Sequence, residues 1–333
     1  MIEAIYIEEA VRQHRRTAEI LTRFPKARLI PCERYGEVFN PRSQDFKIQK
    51  RRPALILAEK FDNFVLPTPD GFGIGGTENY YFSHMLNCLY DCRYCFLQGM
   101  FRSAHYLLFV NYESFMDAID STLDKSTTDK TVTFFSGYDC DSLALETVTG
   151  FAEAFLPFFR ERPRALHELR TKSVNIQALL KTEPLDNCVT AFSFTPAEIS
   201  EKVEHGVPPV KRRIEAMKQL AERGWPLGLR LDPLIYHGRF ESNYRRLVND
   251  LFAAVPAEAF HSVSLGAMRF PKAMFDPMVK LYPDELLLAG PLHPSNGMVT
   301  YRREVEEEMT QFCRSLLGDY LPAEKFFHCA PWS

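Results

Sequence analysis

The chain has 333 residues, of which 46% are hydrophobic and 25% charged, with a formal net charge of −3. This composition is typical of a globular protein that can bury a core without disulfides, and no apolar run approaches the roughly 18 residues of a membrane span. The first residues lack the pattern of a secretion signal, so we expect a cytoplasmic protein that binds no membrane. The net charge provides no overall attraction to a nucleic acid.

Residues 1–79 are predicted to form an N-terminal extension that packs on the main domain. The extension opens with a predicted helix over residues 8–23. A basic run at residues 47–52 fits either a solvated loop or a segment that contacts phosphate. The glycine-rich residues 71–76 are not followed by the Lys-Ser or Lys-Thr pair of a phosphate loop, and we interpret them as a flexible connector.

Between residues 80 and 281, short apolar runs alternate with helical patterns, which is typical of βα units and a parallel sheet. The predicted strands are residues 80–86, 131–136, 165–171, 188–195, 226–235 and 261–270. The predicted helices lie near residues 112–124, 143–160, 174–181, 208–223, 241–254 and 271–280. Six such units predict an α/β fold with a partial (β/α)6 TIM-type barrel. Residues 282–333 are predicted to form a C-terminal extension, in which an amphipathic helix and the short strand KFFHCA cap the barrel.

Three of the eight cysteines form a compact group, whereas the others are scattered singly. Cys88, Cys92 and Cys95 are spaced Cys-x3-Cys-x2-Cys and follow the first predicted barrel strand, at the face where barrels place their active sites. In a cytosolic chain such cysteines are more typical of metal ligands than of disulfides. Three thiolates on a four-iron cubane leave one iron open to a ligand. The alternatives are a zinc site completed by His84, or three buried or redox-active thiols.

The cysteine spacing, with an aromatic residue before the last cysteine, resembles the radical S-adenosylmethionine (SAM) superfamily. Within it the chain is similar to the spore photoproduct lyase group. The resemblance covers most of the chain and is carried by the continuation Cys95-Phe96-Leu97-Gln98 and by the segments RFPKARLIP, KRRPALILAEK, LRTKSVNIQALL, AFSFT and GAMRFPKAMFDPMVKLYP.

This resemblance implies a [4Fe-4S] cluster on Cys88, Cys92 and Cys95, with SAM on the open iron. The protein would cleave SAM reductively to a 5′-deoxyadenosyl radical, which abstracts hydrogen from the substrate. An electron donor such as flavodoxin or ferredoxin is implied as a partner.

The resemblance also implies which residues contact SAM. Lys172 and Ser193 match family positions that do so, Thr195 stands where the family more often has Asn, and Asp141 matches an acidic position. From the residues alone, Lys172 could be a solvated cation, and Ser193 and Thr195 could belong to a half-buried strand. Asp141 could equally cap a helix.

The chain departs from the family at the hydrogen donor. The family uses a cysteine and two tyrosines there, but this chain has Tyr138 at the donor position and Phe96 at one tyrosine position, so that only Tyr94 persists. Cys140 lies two residues further and would point to the same face of an extended segment. It is therefore either a substitute donor or a small residue beside SAM.

The expected substrate is a thymine lesion in DNA. A non-DNA substrate for the same radical chemistry, and a zinc- or nucleic-acid-binding module without catalysis, are the alternatives. Four basic residues are candidates for phosphate contacts, although scattered surface cations would look the same. They are Arg269, Lys272, Arg302 and Arg303.

Overall fold

The computed structural model describes residues 2–42, 44–127 and 130–328 and shows an α/β protein. The strands are β1 (Ala4–Glu8), β2 (Arg28–Cys32), β3 (Leu55–Ala58), β4 (Leu66–Pro67), β5 (Glu78–Tyr81), β6 (Met85–Leu86), β7 (Asp91–Cys92), β8 (Tyr106–Phe109), β9 (Val132–Phe135), β10 (Ala165–Thr171), β11 (Cys188–Ser193), β12 (Glu204–His205), β13 (Leu227–Leu234), β14 (Phe260–Ala267), β15 (Arg269–Pro271), β16 (Leu292–Ser295), β17 (Met298–Tyr301) and β18 (Phe326–His328). The helices are α1 (Arg15–Thr22), α2 (Phe46–Arg51), α3 (Leu97–Met100), α4 (Tyr112–Lys125), α5 (Glu146–Thr149), α6 (Phe151–Arg160), α7 (Gln177–Leu180), α8 (Ala197–Val203), α9 (Val210–Arg223), α10 (Phe240–Ala254), α11 (Lys272–Leu281) and α12 (Arg303–Gly318). In this part of the chain no helix is long and apolar enough to cross a membrane.

The largest sheet is the barrel sheet, which curls into a half barrel. Its order is β4-β5-β9-β10-β11-β13-β14-β18, and all neighbours pair in parallel except β4 and β5. Helices follow its strands, as crossover connections between parallel strands require. The predicted partial (β/α)6 barrel is therefore confirmed. Residues 326–328 of the predicted C-terminal strand form β18, which pairs in parallel with β14 at the edge of the sheet. Cys329 lies outside the described residues.

The first predicted barrel strand is divided between two sheets. β5 ends at Tyr81, whereas β6 pairs antiparallel with β8 in a second sheet of order β2-β1-β3-β8-β6. The prediction of one strand over residues 80–86 is thus wrong in its second half. Local apolar pattern predicts an extended chain, but it does not say which sheet the chain joins.

The N-terminal extension also differs from its prediction. Residues 4–8 form a strand, in which Ile5 and Ile7 are buried, and the helix begins only at Arg15. The basic run lies on α2 and not in a loop, because Asp45 accepts a hydrogen bond from the Ile48 N–H at 2.9 Å and so caps the helix. Two strands of the second sheet, β6 and β8, come from beyond residue 79. The division of the chain into residues 1–79, 80–281 and 282–333 stays a prediction.

The predicted helix over residues 143–160 is interrupted. Gly150 has a φ of 58°, which ends α5, and α6 begins at the next residue. The Glu146 carboxylate accepts hydrogen bonds from the N–H groups of Ala152 and Glu153 and thereby satisfies the start of α6. The predicted helix over residues 174–181 shrinks to the single turn α7, whereas α4, α9, α10 and α11 lie close to their predicted bounds.

Candidate functional site

A cavity of about 480 Å³ opens at the carboxyl ends of the barrel strands. Ser193 and Ala267, which end β11 and β14, both line it. This volume is in the range of sites that hold small ligands. The predicted catalytic, cofactor and metal residues that line it are Cys88, Cys92, Tyr94, Cys95, Tyr138, Cys140, Asp141, Lys172 and Ser193, and the candidate phosphate contact Arg269 lines it as well.

The cluster loop, residues 88–95, is held in place by contacts with distant parts of the chain. The ammonium group of Lys50, on α2, donates hydrogen bonds to the carbonyl oxygens of Cys88 and Tyr90, both at 3.2 Å. On the other side, β7 pairs antiparallel with β12, and the Arg93 N–H donates to the Val203 carbonyl at 2.8 Å. The loop is thus fixed from two directions by the protein itself.

The three cysteines of this loop suit an iron-sulfur cluster. Burial raises the pKa of the Cys88 thiol to about 12 and the pKa of Cys92 well above its usual value. Such thiols ionise poorly on their own, whereas coordination of a metal favours the thiolate. Among the described residues no three His, Cys, Asp or Glu side chains are arranged to hold a single metal ion. Cluster thiolates bind different irons and do not need to meet at one point.

His84, the alternative zinc ligand, lies in the core. Its ring stacks on Phe151 with centroids 3.7 Å apart, and 1% of the residue is exposed. Burial lowers its pKa to about 3, so it is neutral. It does not line the cavity with the three cysteines. The packing of His84 therefore does not support a zinc site completed by this residue.

Tyr94 joins the cluster loop to a buried ion pair. Its hydroxyl donates a hydrogen bond to the Glu204 carboxylate, which also accepts from Ser200 and from the Arg213 guanidinium at 2.7 Å. The Arg213 side chain is fully buried and donates a further bond to the Ser193 carbonyl at 2.8 Å. Burial is the largest single influence on Glu204 and favours its protonation. The charges of Arg213 and Lys172 and the hydrogen bonds from Ser200 and Tyr94 together outweigh it and hold the pKa of this carboxyl below its usual range.

Asp141 organises the loop that carries Lys172. Its carboxylate accepts hydrogen bonds from the N–H of Lys172 and the hydroxyl of Thr171, both at 2.6 Å. It also accepts hydrogen bonds from the N–H groups of Leu143 and Ala144. The next helix, α5, begins only at Glu146, so Asp141 is not its N-cap. Burial raises its pKa although these bonds oppose the change. With both oxygens engaged, Asp141 is placed to position Lys172.

Lys172 and Ser193 lie on the cavity wall. The Lys172 ammonium is 5.5 Å from the centroid of the Tyr94 ring, which places a cation beside the cluster loop. Thr195 differs, since it does not line the cavity. Its hydroxyl oxygen is buried and has no hydrogen-bond partner among the described residues.

Tyr138 belongs to a group of aromatic rings at the cavity. It stacks on Tyr81 with centroids 4.5 Å apart, and it lies 6.1 Å from Phe72 and 5.9 Å from Phe96. Burial raises its pKa to about 12, so the phenol is neutral. The two positions that depart from the family pattern, Tyr138 and Phe96, are thus neighbours.

Cys140 also lines the cavity, but it is more enclosed than Tyr138. Its thiol donates to the Ser136 carbonyl at 3.7 Å, and 6% of the residue is exposed. Burial raises its pKa well above the usual value, so it is a thiol and not a thiolate. Tyr138 and Cys140 therefore both carry an X–H bond at this wall.

The candidate phosphate contacts separate into two groups. Arg269 lines the cavity. Lys272 and Arg303 are exposed and form ion pairs one turn along their helices, with Asp276 and Glu307, and Arg302 is exposed at the start of α12. Only Arg269 in this group reaches the cavity.

Several residues of the site were missed from the sequence. Arg170 and Asp232 line the cavity, with the guanidinium and the carboxylate 3.9 Å apart. Three further residues lie outside the lining and hold the cluster loop and its neighbours by hydrogen bonds, namely Lys50, Glu204 and Arg213. Glu204 and Arg213 carried no signal beyond their charge. Lys50 belongs to the basic run singled out above, but the sequence did not connect that run with the cysteines.

The comparisons with known proteins agree on one family. The model of the spore photoproduct lyase family matches residues 77–289. The spore photoproduct lyase of Bacillus subtilis (strain 168) is 26% identical over 248 residues, which cover 72% of each chain. That of Geobacillus sp. (strain Y412MC61) is 20% identical over 249 residues, which cover 71% of this chain and 72% of the relative.

Solved structures extend the match to the whole fold. A spore photoproduct lyase mutant with bound AdoMet and dinucleoside spore photoproduct matches with a TM-score of 0.84 at 16% identity, covering 99% of this chain and 98% of that one. At this identity the likeness concerns the fold. The family model, in contrast, spans well over half of the sequence. The chain accordingly belongs to the spore photoproduct lyase family, and it is an enzyme of the radical SAM type, as the resemblance of its cysteine loop implied.

Proposed function

We propose that this enzyme repairs a thymine lesion in DNA, with Cys88, Cys92 and Cys95 holding a [4Fe-4S] cluster and SAM bound beside it. The observation that carries this proposal is that the three cysteines line one cavity with Lys172 and Ser193 in a member of this family. When bound, the cluster and SAM supply a 5′-deoxyadenosyl radical that removes a hydrogen atom from the substrate.

The residues around the cavity orient SAM. Lys172 provides a cation for the SAM carboxylate, and Asp141 positions Lys172 through its backbone N–H. Ser193 provides a hydroxyl on the same wall, and Tyr94 flanks the cofactor with its own hydroxyl held by Glu204. Thr195, whose buried hydroxyl lacks a partner in the described part of the chain, would contact SAM only if the cavity wall moves when SAM binds.

The aromatic group supports a nucleobase substrate. Phe72, Phe96 and Tyr138 all line the cavity, and flipped bases are commonly held by stacking on such rings. Arg269 in the same cavity offers a cation for a phosphate or a base edge. The relatives are named for the spore photoproduct lesion, and one solved structure contains a dinucleoside spore photoproduct.

Tyr138 is the proposed hydrogen donor, because it occupies the donor position and its ring faces the cavity beside Phe96. The O–H bond of Tyr138 breaks, the hydrogen atom completes a C–H bond on the product radical, and Tyr138 becomes a phenoxyl radical. One electron from the protein's electron carrier and one proton restore the phenol. Flavodoxin or ferredoxin fits the role of this carrier, and the reducing cytoplasm is the compartment in which it would act.

Replacing Tyr138 with Phe is expected to leave 5′-deoxyadenosine formation within about twofold and to divert the substrate radical to products other than repaired thymines, because the hydrogen source is lost. Cys140→Ala is the matched comparison at the same wall. Chromatography of both products after incubation with SAM and the lesion measures the difference. Diverted products from Cys140→Ala, with normal repair by Tyr138→Phe, would instead assign the donor role to Cys140.

The activity itself is tested with anaerobically reconstituted, reduced protein given SAM, with and without a synthetic dinucleoside spore photoproduct. We expect 5′-deoxyadenosine together with lesion-dependent release of repaired thymines. Protein that holds a full cluster but forms no deoxyadenosine in either sample would contradict the proposal. Deoxyadenosine without repair would favour the second candidate, a non-DNA substrate, which the changes at Tyr138 and Phe96 already suggest.

A further inference from the structure

The basic helix α2 lies outside the cavity, yet it touches the cluster loop directly. Lys50 points inward and bonds to the carbonyl groups of Cys88 and Tyr90, on either side of Leu89. Leu89 is 40% exposed. Leu89 therefore directly follows the cluster cysteine Cys88 and lies between the two carbonyl groups that α2 contacts.

The outer side of α2 is positively charged with an apolar centre. Lys47, Ile48 and Arg51 are exposed, and both Lys47 and Ile48 lie three or four residues before Arg51, on the same side of the helix. We name these three residues, together with the exposed Leu89 of the loop that Lys50 contacts, the α2 face. Lys280, at the end of α11, lines a groove together with Lys47. Among the described residues no carboxylate lies within 4.0 Å of the Lys47, Arg51 or Lys280 side chains. Asp45 is the one acidic group of this groove, and it caps α2.

We propose that the α2 face is the docking surface for an acidic one-electron carrier protein of the flavodoxin or ferredoxin class, an inference that rests on the cluster assignment above. A basic surface with exposed Ile48 and Leu89 fits a carrier with an acidic rim around its redox centre. The net charge of the chain is −3, so the attraction has to come from a local patch such as this one. On docking, the carrier would pass one electron to the cluster that Cys88, Cys92 and Cys95 would hold, and no covalent bond or proton would change in this step.

The placement favours a protein carrier over DNA. The groove at α2 and the substrate cavity share no lining residue. A substrate must enter the cavity, where Phe72 and Arg269 lie, whereas a reductant needs only to come close to the cluster. Electron-transfer contacts are typically small and weak, which suits a short helix and one loop residue.

The test compares the double variant K47E/R51E with the control K211E/R212E, which makes the same charge change on the exposed side of α9. Reduced flavodoxin is mixed with each oxidised, cluster-loaded protein in a stopped-flow instrument, and its oxidation is followed by absorbance. We expect K47E/R51E to raise the half-saturating flavodoxin concentration at least about tenfold at low salt, and the control to stay within about twofold of the parent. Added salt should raise the half-saturating flavodoxin concentration of the parent protein towards that of the variant.

Parallel reactions with dithionite and SAM distinguish the two proposals. Equal dithionite-driven deoxyadenosine formation by all three proteins shows that K47E/R51E still holds a working site. Unchanged flavodoxin saturation in K47E/R51E would overturn the docking proposal, and so would a loss of DNA binding without a change in flavodoxin saturation. A parent protein that oxidises flavodoxin but forms no deoxyadenosine would contradict the proposed function and leave the docking result valid.

Discussion

Replacing Cys92 with alanine is expected to abolish 5′-deoxyadenosine formation and to remove the cluster from the protein. Cys92 ends β7, and its buried thiol is one of the three that line the cavity. Two remaining thiolates cannot hold a cubane with one open iron, because a further iron would lose its protein ligand. Iron and sulfide per chain, the visible absorption of the cluster and deoxyadenosine by chromatography measure the effect.

The control for this experiment is Cys313→Ala. Cys313 is fully buried in α12, away from the cavity lining, so its loss removes a thiol of similar burial without touching the loop. We expect this variant to retain its cluster and its deoxyadenosine formation. Full iron and sulfide together with normal deoxyadenosine in Cys92→Ala would show that Cys92 is not a ligand.

Replacing Arg213 with methionine is expected to lower the free energy of unfolding by about 3–5 kcal/mol, because it leaves the buried Glu204 carboxylate without its cation. Both side chains of this pair are fully buried and lie 2.7 Å apart. The change also removes donors to the Ser193 carbonyl and the Ser200 hydroxyl. Thermal unfolding measured by calorimetry reports the loss. The exposed neighbour in Arg212→Met should change the unfolding free energy by less than about 0.5 kcal/mol.

A double variant separates the ion pair from simple packing. In E204M/R213M both charges of the pair are removed, so neither is left buried without its partner. We therefore expect this double variant to have a higher free energy of unfolding than the single variant Arg213→Met. A single Arg213→Met variant that loses less than about 1 kcal/mol would mean that the pair contributes little to stability. The Glu204 carboxylate also accepts a hydrogen bond from the Tyr94 hydroxyl. A large loss of unfolding free energy in Arg213→Met would therefore identify the Glu204–Arg213 pair as a support of the cluster loop.

The sequence by itself determined the chemistry and the fold class. The spacing of Cys88, Cys92 and Cys95 is a local pattern, and the six strand and helix units follow from periodicity over short windows. The six units recur in the structure because they depend on neighbours in the chain. Their details do not all hold, since the first strand is divided between two sheets, the helix over residues 143–160 is interrupted and the helix over residues 174–181 shrinks to one turn. Even the departures at Tyr138 and Phe96 were visible by position, although their contact was not.

The tertiary structure alone decided how the site is supported. Lys50 lies 38 residues from Cys88 and Tyr94 lies 110 residues from Glu204, and no local pattern relates such partners. The same holds for β6, which continues the apolar run of β5 but pairs with β8 in another sheet. Hydrogen bonds and ion pairs form between groups that the fold brings together, and buried polar groups require partners wherever the chain supplies them. Candidate reactive residues can therefore be proposed from sequence motifs, whereas the residues that position them become visible only once the chain has folded.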